Sequence, residues 1–357
     1  MEQTGIDRRQ WIKRAAWIGA ALPFAGASGA FGRVQPDSWL ASIHPELRET
    51  VARLSTAFDA FPVLSRETLA ASREGMKRWS QPERADVPVA RQSISSAKGQ
   101  PDVEIYVINA KPEGMRGAIL HTHGGGFVSG AARLSVRPLQ DLAAELDCAI
   151  VTVEYRLAPE TTWKGSIEDN YAALKWLHAQ AVSLGADPAR IALLGESAGG
   201  GHAALLAIAA RDRGEVPVAF QCLIYPMLDD RTASSRPAAP HLAPMGWKPS
   251  ENRFGWESFL GMKPGGPNVP VAAVPARTKS LAGLPPTFIG VGALDLFVEE
   301  DIDYARRLNG AGVPAELIVV PGAVHGFDMM VPGAPVVQRF NAAKVDALRR
   351  AFRQPGG

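Results

Sequence analysis

The run Ile191-Ala192-Leu193-Leu194-Gly195-Glu196-Ser197-Ala198-Gly199-Gly200-Gly201 passes from an apolar strand through G-x-S-x-G into the alanine-rich stretch His202 to Ala210. A strand, so tight a turn and a helix in succession are the setting of a nucleophile elbow. The turn forces Ser197 into a strained backbone conformation, and Gly195 and Gly199 remove the side chains that would collide there. Its hydroxyl is left exposed at a helix amino terminus. G-x-S-x-G alone is a weak signal in a glycine-rich chain, and the strand before it and the helix after it raise it considerably.

Outward from the elbow, from residue 88 onward, short apolar runs alternate with segments of helical period, as in a sheet covered by helices on both faces. The candidate strands are Ile105 to Ile108, Ala118 to Thr122, Ala149 to Tyr155, Ile191 to Leu194, Phe220 to Tyr225, Thr287 to Val291 and Glu316 to Val320. Several are continuous apolar runs, which parallel strands buried on both faces require. Between them, Ile167, Tyr171, Leu174, Leu177 and Ala181 form one apolar helix face, and Val298, Ile302, Ala305 and Leu308 another. Gly310 offers the second helix a left-handed stop, with Pro314 soon after. A last helix carries Val337, Phe340, Val345, Leu348 and Phe352. The pattern predicts an α/β fold with a mostly parallel central sheet.

Two stretches interrupt the alternation. Residues 36–80 are charged and helical between Pro45 and Trp79, and residues 227–280 are proline-rich yet hold Trp247, Phe254, Trp256 and Phe259. An insertion that long usually carries function. Together they are expected to form a helical cap, with residues 81–226 and 281–357 as the two parts of the core.

Strand Ala118 to Thr122 runs into His123-Gly124-Gly125-Gly126-Phe127. Consecutive glycines let backbone N–H groups turn towards a ligand unobstructed, which stabilising an oxyanion requires. A serine hydroxyl also needs a base to take its proton, and the base needs an orienting carboxylate. Asp295 follows strand Thr287 to Val291, and His325 follows the last strand within Pro321-Gly322-Ala323-Val324-His325-Gly326-Phe327. Residues just past the carboxyl ends of parallel strands converge where active sites of open α/β sheets lie. The other histidines suit the role less: His44 and His241 lie in the cap segments, His121 and His123 beside the glycine loop, His178 on a helix, and His202 points away from the opening. Glu299, Glu300 and Asp301 open a helix, whose dipole accounts for them. His121 and His123 stand two apart on a strand, but no carboxylate or cysteine cluster joins them, so neither metal nor cofactor is expected.

The five pieces His123-Gly124-Gly125-Gly126, Tyr155-Arg156-Leu157-Ala158-Pro159-Glu160, Gly195-Glu196-Ser197-Ala198-Gly199, the Asp295 turn and His325-Gly326-Phe327 resemble, in kind and order, the hormone-sensitive-lipase-like family of α/β-hydrolases. These are the bacterial family IV esterases, and the resemblance spans most of residues 44 to 352. It implies Ser197 as nucleophile, His325 as base and Asp295 as orienting acid. It further implies an oxyanion hole from the N–H groups of Gly125, Gly126 and Ala198, with Gly124 shaping the loop, His123 pinning it, and Gly195, Glu196 and Gly199 supporting the elbow. The activity implied is hydrolysis of short- to medium-chain acyl esters through an acyl-enzyme. Amide, carbamate or formamide hydrolysis by the same triad is the alternative, and the intact His325 argues against a non-catalytic ligand-binding role. Three departures stand out: Glu196 in place of the commoner Asp, Thr161-Thr162-Trp163-Lys164-Gly165 after Glu160, and Leu296 after the acid. None touches a triad atom.

At 357 residues the chain exceeds the roughly 250–300 at which one core stops growing. With 46% hydrophobic and 21% charged residues it is no disordered chain. The net charge of +2 originates at the start, where Arg8, Arg9, Lys13 and Arg14 outnumber Glu2 and Asp7. A near-neutral body leaves no electrostatic footprint for nucleic acid, and the resemblance implies a small-molecule ester as partner, met by a monomer or homodimer. Asp7-Arg8-Arg9-Gln10-Trp11-Ile12-Lys13 precedes an uncharged run from Ala15 to Ala30, and residues 1–30 resemble a twin-arginine signal for export to the periplasm. Gly19, Pro23, Gly26 and Gly29 interrupt that run, and it falls short of the ~20 apolar residues of a spanning helix, so no stable membrane anchor is expected. Cys148 and Cys222, in apolar runs, read as buried free thiols.

Overall fold

The structure, a computed structural model, describes residues 38–59, 62–96 and 99–353; residues 1–30, where an export signal is expected, lie outside them. Eight strands form one sheet: β1 (Val89–Ile94), β2 (Val103–Ile108), β3 (Arg116–Thr122), β4 (Ala149–Glu154), β5 (Ala186–Glu196), β6 (Phe220–Ile224), β7 (Thr287–Gly292) and β8 (Ala315–Val320). Their spatial order is β1-β2-β4-β3-β5-β6-β7-β8. β2 runs antiparallel to β1 and β4, and every other pairing is parallel. The helices are α1 (Pro45–Asp59), α2 (Leu69–Met76), α3 (Ala132–Leu146), α4 (Trp163–Gln180), α5 (Ala198–Arg213), α6 (Pro249–Leu260), α7 (Val298–Gly310), α8 (Phe327–Met330) and α9 (Pro335–Arg353). No helix of the described residues is long and apolar enough to cross a membrane.

Both sheet faces are buried, which explains the uninterrupted apolar strands. Along β4 and β5, Val151 and Leu193 face a layer made by Leu174 and Leu177 of α4, Leu206 of α5 and Leu308 of α7. Their chain neighbours Ile150 and Leu194 face the opposite layer, made by Val136 and Leu139 of α3 and Val337, Phe340 and Leu348 of α9. Gly290 in β7 is required by that packing, because a Cβ there would lie 2.4 Å from the Phe340 ring. Cys148 and Cys222 are buried and unbonded.

Three features differ from the sequence reading. β1 is an additional strand; four of its six residues are exposed, so it carries no apolar pattern and is held by backbone pairing with β2. The left-handed glycine after α7 is Gly312 (φ +79°), because the helix continues through Gly310 and the Ala311 N–H still reaches Arg307 O at 3.0 Å. The segment 36–80 divides. Leu47 and Val51 of α1 join the α9 side of the core. Leu69 of α2 instead enters a separate apolar cluster with Trp256 and Phe259 of α6, Phe127, Met227, Leu296 and Ala198.

Candidate active site

β5 ends directly beneath Ser197, whose backbone stands at φ 56° and ψ −124°, a conformation costing a non-glycine residue about 1–3 kcal/mol. The surroundings hold it there. Its N–H donates to Ile224 O at 2.9 Å, and its carbonyl accepts from Met227 N at 2.9 Å and Gly201 N at 3.1 Å. A Cβ on Gly199 would stand 2.0 Å from Thr122 O, and one on Gly195 2.3 Å from Gly199 O, so only glycine permits the turn.

The β7 and β8 ends supply the partners. His325 Nε2 lies 2.9 Å from Ser197 Oγ, and His325 Nδ1 lies 2.8 Å from Asp295 Oδ2. The other carboxylate oxygen of Asp295 accepts the Phe297 N–H at 2.9 Å. Asp295 is 1% exposed, so the carboxylate is shielded from water. The Tyr225 and Phe297 rings, centred 4.7 and 5.2 Å away, each meet the imidazole in a T-shaped contact. The Tyr225 hydroxyl donates to Asp328 at 2.8 Å, tying down the loop that carries the histidine.

The glycine loop is turned by its carbonyls. Gly124 O lies 2.8 Å from His123 Nδ1, and Gly125 O accepts from Ser129 N at 2.9 Å and Ser129 Oγ at 2.8 Å. In a trans peptide the carbonyl of one residue and the N–H of the next point opposite ways. The Gly125 and Gly126 N–H groups are therefore turned away from those partners, and among the described residues neither they nor the Ala198 N–H have an acceptor. A Cβ on Gly124 would sit 3.5 Å from Ser197 Cβ, which places this loop against the elbow. Ala198 opens α5, whose amino-terminal dipole also favours negative charge.

Behind the loop, His123 stacks on Tyr155 with ring centroids 4.1 Å apart, and the Tyr155 hydroxyl donates to His123 O at 2.6 Å. His121 bridges Thr152 Oγ1 at 2.8 Å and Glu196 Oε2 at 2.9 Å, so both its ring nitrogens are engaged across three strands. Burial raises the Glu196 carboxyl, but His121 outweighs it and holds the group below the usual range. Arg73 of α2 donates to Val128 O at 2.7 Å and Ala158 O at 2.9 Å, and pairs with Glu160 through both carboxylate oxygens. The sequence offered no sign of this tie between the amino-terminal segment and the glycine loop, nor of the clasp between Tyr225 and Asp328.

The acids of α7 need a different account from the helix dipole. Glu300 and Asp301 are buried. Glu300 accepts from Leu228 N at 2.7 Å, Asp229 N at 3.2 Å and the Thr232 hydroxyl, anchoring the start of the insertion. Asp301 has no side-chain partner among the described residues. Burial pushes both carboxyls well above the usual range, reinforced by Asp229 for Glu300 and by Glu300 for Asp301. Among the described residues neither is hydrogen-bonded to His325.

His202 lies inside α5 among Phe127, Tyr155 and Phe259, with both ring nitrogens unpartnered among the described residues. Burial pushes His202 down to about 3 and His123 to about 4. Both are neutral when folded, whereas in the unfolded chain they take up protons below about pH 6.5. Their contribution to stability is therefore complete above pH ~6.5 and is lost as the pH falls towards ~4, at about 1.4 kcal/mol per pH unit for each histidine. Urea-denaturation midpoints between pH 7 and pH 4.5 should show this loss, and His202→Phe should reduce its slope. An unchanged slope in that variant would remove His202 from the account.

Comparison with known proteins places the chain in a fold and a family. A family model described as alpha/beta hydrolase fold matches residues 119–329. Esterase LipI of Mycobacterium tuberculosis is 34% identical over 252 residues, covering 69% of this chain and 77% of the relative. Carboxylesterase NlhH of the same organism is 34% identical over 240 residues, covering 66% and 73% respectively. Among solved structures, a bacterial heroin esterase superposes with a TM-score of 0.79 at 37% identity, covering 88% of this chain and 99% of its own.

Proposed function

The chain belongs to the hormone-sensitive-lipase-like family of α/β hydrolases, and from that premise we propose that it is a serine carboxylesterase acting on short- to medium-chain acyl esters through Ser197, His325 and Asp295. The observation that carries this reading is the hydrogen-bonded line from Asp295 Oδ2 through His325 to Ser197 Oγ, lying beside the glycine loop and the start of α5.

In the proposed reaction His325 Nε2 takes the Ser197 proton as Oγ attacks the ester carbonyl. The carbonyl oxygen becomes an oxyanion facing the N–H groups of Gly125, Gly126 and Ala198, donors fixed before the reaction begins. Collapse expels the alcohol, which receives the proton from His325, and leaves the acyl group on Ser197. Water activated by the same imidazole then releases the acid. Asp295 holds the imidazole in the tautomer that keeps Nε2 free to accept. The cap made by α2, α6 and the insertion around them excludes water and limits the acyl chain, a role supported by the apolar cluster that reaches Ala198.

A series of p-nitrophenyl esters from acetyl to dodecanoyl, run beside the matching anilides, tests this. kcat/KM should peak among the shorter acyl groups and fall for dodecanoyl, with anilides far slower. Anilides turned over as fast as esters would favour the amide reading instead. We also propose export by the twin-arginine route; Arg8→Lys combined with Arg9→Lys should abolish the periplasmic fraction, and an unaffected fraction would refute it.

A further inference from the structure

We propose that Trp247 determines selectivity for the alcohol portion of the ester, admitting slender or flat alcohols and rejecting branched ones. The inference rests on the esterase reading above and adds a subsite to it. Two consecutive insertion residues reach the base and the oxyanion loop, one each. Gly246 stands at φ +90°, and a Cβ on it would lie 2.8 Å from His325 O and 2.9 Å from His325 Cβ. Trp247, the next residue, places its ring edge where Gly126 would carry a Cβ, with that position 2.1 Å from Cη2 and 2.6 Å from Cζ2. This pair of residues thus spans from the base to the oxyanion loop.

The wall is fixed from behind. Trp247 Nε1–H donates to Asn252 Oδ1 at 3.1 Å, and Asn252 Nδ2, fully buried, donates to Thr232 O at 2.8 Å. Leu242, Leu296 and Phe254 belong to the same apolar cluster. The chemistry decides which part of the substrate meets this wall. The departing oxygen must come within hydrogen-bond reach of His325 Nε2 to receive its proton, while the carbonyl oxygen faces the Gly125 and Gly126 N–H groups. The alcohol therefore leaves through the gap between His325 and the oxyanion loop, and the acyl chain occupies the remaining direction at the tetrahedral carbon. A rigid indole across that gap tolerates a primary alkyl or aryl alcohol and collides with branching next to the oxygen.

The test compares parent, Trp247→Ala and Trp247→Phe on two series: acetates of ethanol, phenol, 2-propanol and tert-butanol, and p-nitrophenyl esters of increasing acyl length. In Trp247→Ala, kcat/KM for the 2-propyl and tert-butyl acetates relative to ethyl acetate should rise about tenfold or more, the scale on which one or two methyl groups are discriminated. The acyl-length profile should keep its shape, and Trp247→Phe, which keeps a ring in place and protects against misfolding of the alanine variant, should fall between. An altered acyl profile with an unchanged alcohol profile in either variant would overturn the assignment, as would no change in both. A parent inactive on every ester would overturn the esterase reading and this inference with it, whereas an active parent with variants of unchanged alcohol preference would overturn this inference alone.

Discussion

Ser197→Ala is expected to lower ester turnover on the order of 10⁶-fold while leaving the fold intact, because the nucleophile and its base act as a unit and little catalysis survives without either. The fold should survive for a specific reason. All three hydrogen bonds that hold the elbow at position 197 use backbone atoms, from Ile224 O, Met227 N and Gly201 N, and alanine keeps each of them. Alanine meets the same positive φ as serine, so no new strain is added. The hydroxyl loses only its contact with His325 Nε2. Incubation with a serine-reactive phosphonate followed by intact-mass measurement separates chemistry from folding: the parent should gain one adduct and the variant none, at matching melting temperatures. Adduct formation in both would show that another residue is the nucleophile.

Sequence legibility followed burial. Strands β3 to β7 read clearly because both faces are covered, so most of their central positions are apolar or small, whereas the exposed edge strand β1 is specified by backbone pairing that any side chains permit. The elbow, the glycine loop and the positions of Asp295 and His325 were readable because turn geometry and strand ends restrict residue types locally. What escaped was tertiary. A run of acids at the start of α7 looks the same whether it faces water or the interior, and only packing shows that Glu300 anchors the insertion while Asp301 is enclosed. Likewise α1 and α2 are adjacent in sequence and alike in charge, yet Leu47 faces the α9 layer and Leu69 the cluster beside Ser197. The contact of Trp247 with Gly126 joins segments far apart in the chain, and no local periodicity encodes it.

The same ambiguity makes the identity of the acid worth an experiment, and Asp295→Asn is expected to reduce kcat by up to roughly 10⁴-fold. The Asp295 carboxylate is acceptor-only, so it requires a proton on His325 Nδ1 and leaves Nε2 to accept from Ser197. An amide can turn its NH₂ towards Nδ1 and its oxygen towards the Phe297 N–H that Asp295 now serves. The favoured tautomer then carries its proton on Nε2, facing Ser197 as a donor and unable to take the serine proton. Size and shape are preserved, so melting temperature should barely move while the rate of phosphonate labelling falls alongside turnover. The neighbouring acids give the control. Glu300→Gln disturbs a buried anchor of the insertion, and Asp301→Asn removes an enclosed carboxyl that has no hydrogen-bond partner among the described residues; neither is hydrogen-bonded to His325. Both should shift stability and leave kcat within a few-fold of the parent. Near-normal turnover in Asp295→Asn, with loss in either α7 variant, would reassign the acid.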